Sequence, residues 1–176
     1  MFREDFRIPF PLGEGSVNTN FGGRKMNKTK TLQGCFENII ELSSQIITLG
    51  YLINSSEDIM EITSKEFVNI KKDLFNISYG ILKSSNEVKT VVDLDKEIDD
   101  ITNKFILAPL IKYSSYNSIE TLLCISIREL SFYVENQILE VPLKDAFKVS
   151  VEKYLKKLSY YIFLVSKYIS FKRMGS

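Results

Sequence analysis

The chain has 176 residues, of which 44% are apolar and 26% charged; this suits one globular domain and excludes disordered, collagen-like or coiled-coil composition. It contains no histidine, which removes serine–histidine and cysteine–histidine hydrolase schemes and the commonest zinc ligand. A net charge of +1 conceals a polarity along the chain: residues 1–30 hold six Lys/Arg against three Asp/Glu, residues 31–140 nine against 17, and residues 141–176 eight against two.

The N-terminal stretch opens "MFREDFRIPFPLGEG" and contains no continuous apolar segment of the signal-peptide type. No later run approaches the roughly 18 apolar residues that a membrane span requires. A cytoplasmic protein without membrane contact is therefore expected. Gly13, Gly15, Gly22 and Gly23 fall among prolines and polar residues with no apolar period, so residues 1–30 are expected to form an extended or disordered basic arm ahead of a helical domain at 31–173. The arm ends in "RKMNKTK", which places Arg24, Lys25, Lys28 and Lys30 within seven residues. Such a cluster suits phosphate neutralisation on a polyanion.

From Leu32 onward the apolar period is helical. Leu32, Cys35, Phe36, Ile39, Ile40, Ile46, Ile47 and Tyr51 predict one long helix to about Ile53. A T-x-x-E capping signal at Thr63–Glu66 introduces a second, carried by Phe67, Ile70, Leu74, Phe75, Ile77 and Ile81. Asp93–Ile106 reads as a third, stopped by Pro109. Asn117 or Ser118 can cap a fourth, in which Leu122, Ile125 and Phe132 lie off the stripe Ile119, Leu123, Ile127, Leu130, Val134. A helix apolar on most sides is expected in the middle of a bundle. Pro142 suits the first turn of a fifth, and "YYIFLVSKYI" reads as a further helix after a short break. The expected fold is all-α, a single bundle of six to seven helices with an irregular N-terminal arm.

Little in this pattern resembles a reactive site. Cys35 and Cys124 sit among apolar neighbours without CxxC spacing and are expected to be buried free thiols in a reducing compartment. "DLDKEIDD", from Asp93 to Asp100, is the densest acidic cluster, but it lacks the glycine and terminal glutamate of a calcium loop and reads as charge at a helix start. The aromatics of "SYYIF" are expected in the core, because a base-stacking platform also needs adjacent cations. Neither an enzyme nor a metal or cofactor site is expected.

The blocks "SIETLLCISIRELSF", "VPLKDAFKVSVEKYLKK" and "SYYIFLVSKYI" resemble the C-terminal half of the NusB family, with Glu129-Leu130, Val141-Pro142, Lys144, Ala146 and Glu152 on matching positions. "EFVNIKKDLFNISYGI" is similar to an upstream helix of that family. The family's Asn-Glu pair falls instead on Lys148 and Val149, its Asn-Gly on Phe163 and Leu164, and one of its arginines on Cys124. The resemblance implies an RNA-binding transcription antitermination factor that takes a boxA-like single-stranded RNA together with a NusE-type ribosomal protein and the RNA polymerase elongation complex. Its nucleic-acid contacts would be Arg24, Lys25, Lys28, Lys30, Lys144 and Lys148. The lost family positions motivate the alternative, a non-enzymatic helical protein-interaction module or effector that binds no RNA. An exposed apolar patch would mark that alternative.

Overall fold

The computed structural model describes the backbone of residues 23–56, 64–85, 88–106 and 118–174, and the side chains within 32–56, 65–85, 88–103 and 118–173. Among these residues the chain is all-helical and contains no strand: α1 (Gly23–Asn54), α2 (Ser64–Lys83), α3 (Leu94–Ile106), α4 (Ile119–Glu140) and α5 (Asp145–Met174).

Four of these helices close into a ring. α1 packs on α2 and α4, and α5 packs on α4 and α3. Side-chain partners set the directions. Asn38 Nδ2 donates to Gln137 Oε1 at 2.9 Å, while further along α1 Gln45 Oε1 accepts from Ser126 Oγ at 3.0 Å, so α1 and α4 are antiparallel. Tyr154 and Tyr161 of α5 reach Asp73 and Glu66 of α2 in the same opposed sense. The ring order is α1–α2–α5–α4, with every neighbouring pair antiparallel, and α3 lies along the outside of α5. Its interior holds Ile39, Leu42, Ile46 and Leu49 from α1, Phe67, Ile70, Leu74 and Ile77 from α2, Ile127 and Val134 from α4, and Leu155, Leu158 and Ile162 from α5, all buried. Each such side chain contributes roughly 1.5–3 kcal/mol over its exposed state.

Two polar latches add to the apolar packing of the ring. The Asp73 carboxylate is fully buried and accepts from the backbone N–H of Val91 (2.5 Å) and Val92 (2.9 Å) and from Tyr154 Oη (3.2 Å). It fastens the strand of chain before α3 onto the α2–α5 seam. Burial, and next the Asp73 charge, push the Tyr154 hydroxyl well above its ordinary value, so the phenol stays a donor. At the far end Arg173 Nη2 pairs with Glu120 Oε1 at 2.5 Å and also donates to Ser56 Oγ at 3.3 Å, which joins the ends of α1 and α5 to the start of α4.

Several sequence expectations need correction. There are five helices among the described residues, not six or seven, because α5 runs unbroken from Asp145 to Met174; "KKLSYY" contains no glycine or proline, and Tyr154, Leu155, Leu158, Tyr161 and Ile162 keep one continuous buried stripe. Pro142 stands in the α4–α5 connection, ahead of the helix. The first bonds of α5 go to the Lys144 carbonyl, from Phe147 N–H (3.0 Å) and Lys148 N–H (3.1 Å). α1 begins at Gly23, so residues 23–30 are helical, whereas an extended arm was expected there; residues 1–22 lie outside the described residues, as does Thr63. Most consequentially, α4 is not surrounded. Ile119, Leu122, Ile125, Phe132 and Leu139 are 71%, 52%, 48%, 64% and 51% exposed.

Other readings hold. Ser118 caps α4, its Oγ accepting from Thr121 N–H at 3.2 Å while Thr121 Oγ1 accepts from Ser118 N–H at 2.9 Å. Asp93 Oδ1 accepts from Asp95 N–H (3.1 Å) and Lys96 N–H (3.3 Å), which caps α3. Cys35 and Cys124 are buried free thiols, and burial pushes both up to about 12, leaving them without thiolate chemistry.

Close helix approach rests on Gly80, where an added Cβ would lie 2.7 and 2.9 Å from Cε2 and Cζ of the buried Phe147 ring. Gly80→Ala gains about 1 kcal/mol of helix propensity and loses about 1–3 kcal/mol to overpacking. A net loss near 1 kcal/mol is expected in urea unfolding, and the sign should reverse in a Phe147→Leu background; a more stable Gly80→Ala single variant would show that α2 and α5 do not meet there.

The second latch has a pH signature. Burial pushes the Glu120 carboxyl up, but hydrogen bonds from its own backbone N–H and from Ser118, with the Arg173 charge, outweigh it and hold the group below its ordinary value. Folded protein then binds fewer protons here than unfolded protein. The stabilisation is complete above the unfolded value of about 4.3 and is lost as pH falls through the folded one. Thermal midpoints measured from about pH 7 down to about pH 3 should fall more steeply for the wild type than for Glu120→Gln; parallel curves would remove Glu120 from the acid response.

Candidate nucleic-acid interface

The ring has two unlike ends. At one, α1 and α5 begin and α2 and α4 finish, as the pairs Asn38–Gln137 and Gly80–Phe147 show. Two helix N-termini and two C-termini meet here, so their dipoles largely cancel and side chains decide the charge.

The expected contact residues fall at this end. Arg24, Lys25, Lys28 and Lys30 belong to the first turns of α1. The axis runs about 16 Å, at 1.5 Å per residue, from Gly34, level with Gln137, back to Gly23. Arg24 and Lys28 are four apart and Lys25 and Lys28 three apart, so these positions share a helix face; their side chains lie outside the described residues. Lys144 is exposed in the α4–α5 connection. Lys148 is half-buried, and its Nζ donates to the Leu139 carbonyl at 3.0 Å, so it caps the end of α4 and is only partly available to a ligand.

The structure adds residues that the sequence reading missed. Lys83, at the last turn of α2, places its Nζ 4.4 Å from the centroid of the exposed Tyr79 ring, an aromatic–cation pair at the same end. Farther along the α4–α5 face, the Arg128 guanidinium sits 4.9 Å from the Phe163 centroid and Lys167 Nζ lies 5.4 Å from it. Tyr160 stacks on Phe163 at 6.3 Å and 23°. Tyr160, Phe163 and Lys167 recur at helical spacing and could have been grouped from sequence; Arg128, 35 residues away in an apolar segment, could not.

Beside that cluster runs the exposed apolar stripe of α4, from Ile119 through Leu122, Ile125 and Phe132 to Leu139, interrupted by Glu129 and Asn136. Charge on the α5 side includes the Glu135–Lys156–Glu152 network, at 3.6 and 2.5 Å.

No group of three or more His, Cys, Asp or Glu side chains among the described residues is arranged to hold a metal ion, and no helix among them is long and apolar enough to cross a membrane. Asp95 of the acidic cluster pairs with Lys157 of α5. No known family, curated protein or solved structure matches the chain, so functional reading rests on geometry and on the motifs quoted above.

If the α4 stripe is surface and not core, Leu122→Glu and Phe132→Glu should each move folding stability by no more than about 0.5 kcal/mol, whereas Ile127→Ala, fully buried on the opposite side of α4, should cost about 2–5 kcal/mol. Chemical denaturation checks both; a large loss in Phe132→Glu would mean that the stripe is covered.

Proposed function

We propose that this chain is a non-enzymatic helical protein that binds single-stranded RNA at the end of the bundle where α1 and α5 begin. The observation that carries the reading is convergence: the positions of Arg24, Lys25, Lys28 and Lys30 and the residues Lys144 and Lys148, far apart in sequence, belong to one end of the ring. Cations grouped on a rigid scaffold supply phosphate contacts, and aromatic side chains beside them accept unpaired bases. In the NusB-like form of this reading the RNA is boxA-like, the partner is a NusE-type ribosomal protein, the setting is transcription antitermination at the RNA polymerase elongation complex, and the compartment is the cytoplasm.

A second reading is favoured by the exposed stripe Ile119, Leu122, Ile125, Phe132 and Leu139. An exposed apolar stripe of this kind suits a protein partner, and the chain is then an interaction module without RNA.

Titration of a boxA-like RNA and a scrambled one against the full chain separates the two. If the four N-terminal cations each meet a phosphate, log affinity falls with log salt at a slope of about −3, and replacing Arg24, Lys25, Lys28 and Lys30 with Gln flattens that slope. Preference for the boxA-like RNA supports the NusB-like form. No binding, or equal weak binding to both RNAs, rejects the first reading in favour of the second.

A further inference from the structure

α2 shows solvent a face of one sign. Its two carboxylates are turned inward: Asp73 is fully buried on its three donors, and Glu66 is half-buried and accepts from Tyr161 Oη at 3.4 Å. Its four cations, Lys65, Lys71, Lys72 and Lys83, form no ion pair among the described residues, and all but the half-buried Lys71 are exposed. Two aromatic rings stand among them. Phe75 is 43% and Tyr79 57% exposed, one turn apart and so about 6 Å along the axis. Each ring has an ammonium against it, Lys71 Nζ at 5.6 Å from the Phe75 centroid and Lys83 Nζ at 4.4 Å from that of Tyr79. The exposed Lys89 adjoins this face from the segment before α3, where its carbonyl accepts from Asn76 Nδ2 at 3.3 Å.

Exposed rings with cations at each turn are what a single strand of nucleic acid requires, since bases and phosphates alternate along it. A cation–π contact at an exposed site is weaker than the stack of a base on the same ring. Lysine is a point charge on a flexible stem. A base can therefore take the ring and leave the ammonium to the adjoining phosphate, with no ion pair to break first. A lipid surface fits less well, because an interfacial helix keeps its apolar side chains apart from its cations. Here Val68, Lys72, Phe75 and Tyr79 follow one another at steps of three and four residues, with the exposed lysine inside the stripe.

This face also leads to the basic pole. An added Cβ at Gly50 would lie 3.0 Å from Phe67 Cβ, so these two residues of antiparallel α1 and α2 are level; Lys83, as far beyond Phe67 as Gly34 is ahead of Gly50, is then level with Gly34. The basic run of α1 ends at Lys30, about 6 Å farther along the axis. On the α1 side the exposed Glu37 lines the same hollow as Leu82 and turns a phosphate chain away from that seam.

We propose that the outward face of α2 is a track for single-stranded RNA, on which Phe75 and Tyr79 stack successive bases while Lys71, Lys72 and Lys83 take the phosphates. The track rests on the RNA-binding reading and deepens it by naming the path of the strand away from the basic pole. Stacking tolerates any base, so the track adds affinity without dictating sequence.

The test uses the full chain and a uridine oligonucleotide of about twelve residues, inside the usual single-strand site range. Phe75→Ala and Tyr79→Ala should each weaken binding by about tenfold with the salt slope unchanged, and Lys72→Gln and Lys83→Gln should each lower the slope by about 0.7; circular dichroism confirms that the variants are folded. Because the chain contains no tryptophan, Tyr79→Trp introduces a single reporter, whose fluorescence should be quenched by the oligonucleotide and not by inorganic polyphosphate at equal ionic strength. Equal quenching by polyphosphate would make the face a general anion surface and overturn the track. A blue shift on phosphatidylserine vesicles, with no response to the oligonucleotide, would assign the face to anionic lipid and overturn it as well. Wild-type affinity in Phe75→Ala and Tyr79→Ala, with affinity lost when the four N-terminal cations become Gln, would overturn the track and leave the RNA reading standing. No binding by the wild type would overturn both.

Discussion

The Asp73 carboxylate ties together three parts of this molecule: α2, the segment before α3, and α5. Buried on α2, it accepts two consecutive backbone N–H groups from the segment before α3 and a phenol from α5. Removing any one of these donors would leave a buried charge short of a partner, at a cost of roughly 1–3 kcal/mol. The three together settle which side of the ring the crossing chain takes. Because that chain is pinned over the α2–α5 seam, α3 docks on α5 there, with Asp95 beside Lys157 and Glu97 near Tyr161. Among the described residues no further helix covers the outer side of α4.

That placement explains how one helix can be apolar on most sides and still face solvent. α4 contributes Cys124, Ile127, Leu130, Val134 and Ile138 to the core, and presents Ile119, Leu122, Ile125, Phe132 and Leu139 outward. Both faces are apolar for different reasons: the inner closes the ring, and the outer has no structural use that the fold requires. Cores demand shape matching, as the Gly80–Phe147 contact illustrates, whereas the outer stripe carries no such constraint and reads more naturally as a surface for association.

The charge polarity of the chain becomes spatial in the same way. α1 and α5 start at one end, which brings the basic N-terminal run and the lysines after Pro142 to a common pole, with Lys83 and Tyr79 beside them. At the opposite pole Arg173 is neutralised by Glu120. Of the cations at the first pole, Lys144 is exposed and Lys148 is partly engaged by the Leu139 carbonyl. On the α4–α5 face, Arg128 and Lys167 lie against the Phe163 ring.

Local information carried far. Apolar spacing was enough to place α2, α3, α4 and the end of α1 within a few residues, because a helix buries its stripe whatever it packs against, but not the start of α1, which lies ahead of Leu32 where no apolar period runs. Ser118 and Asp93 were legible as caps, since capping depends on neighbours three residues away, and the two thiols were legible as buried from their apolar surroundings. Spacing could not reveal that the last two apolar segments join into α5, because a polar stretch without glycine or proline supports a helix or a loop until packing chooses. Nor could it distinguish the two apolar faces of α4: periodicity reports which residues share a face, and only the positions of α1, α3 and α5 decide which face is covered. The meeting of Arg128 with Phe163 and Lys167 belongs to the same class, being a contact between helices whose register is fixed by the whole core and not by either segment alone.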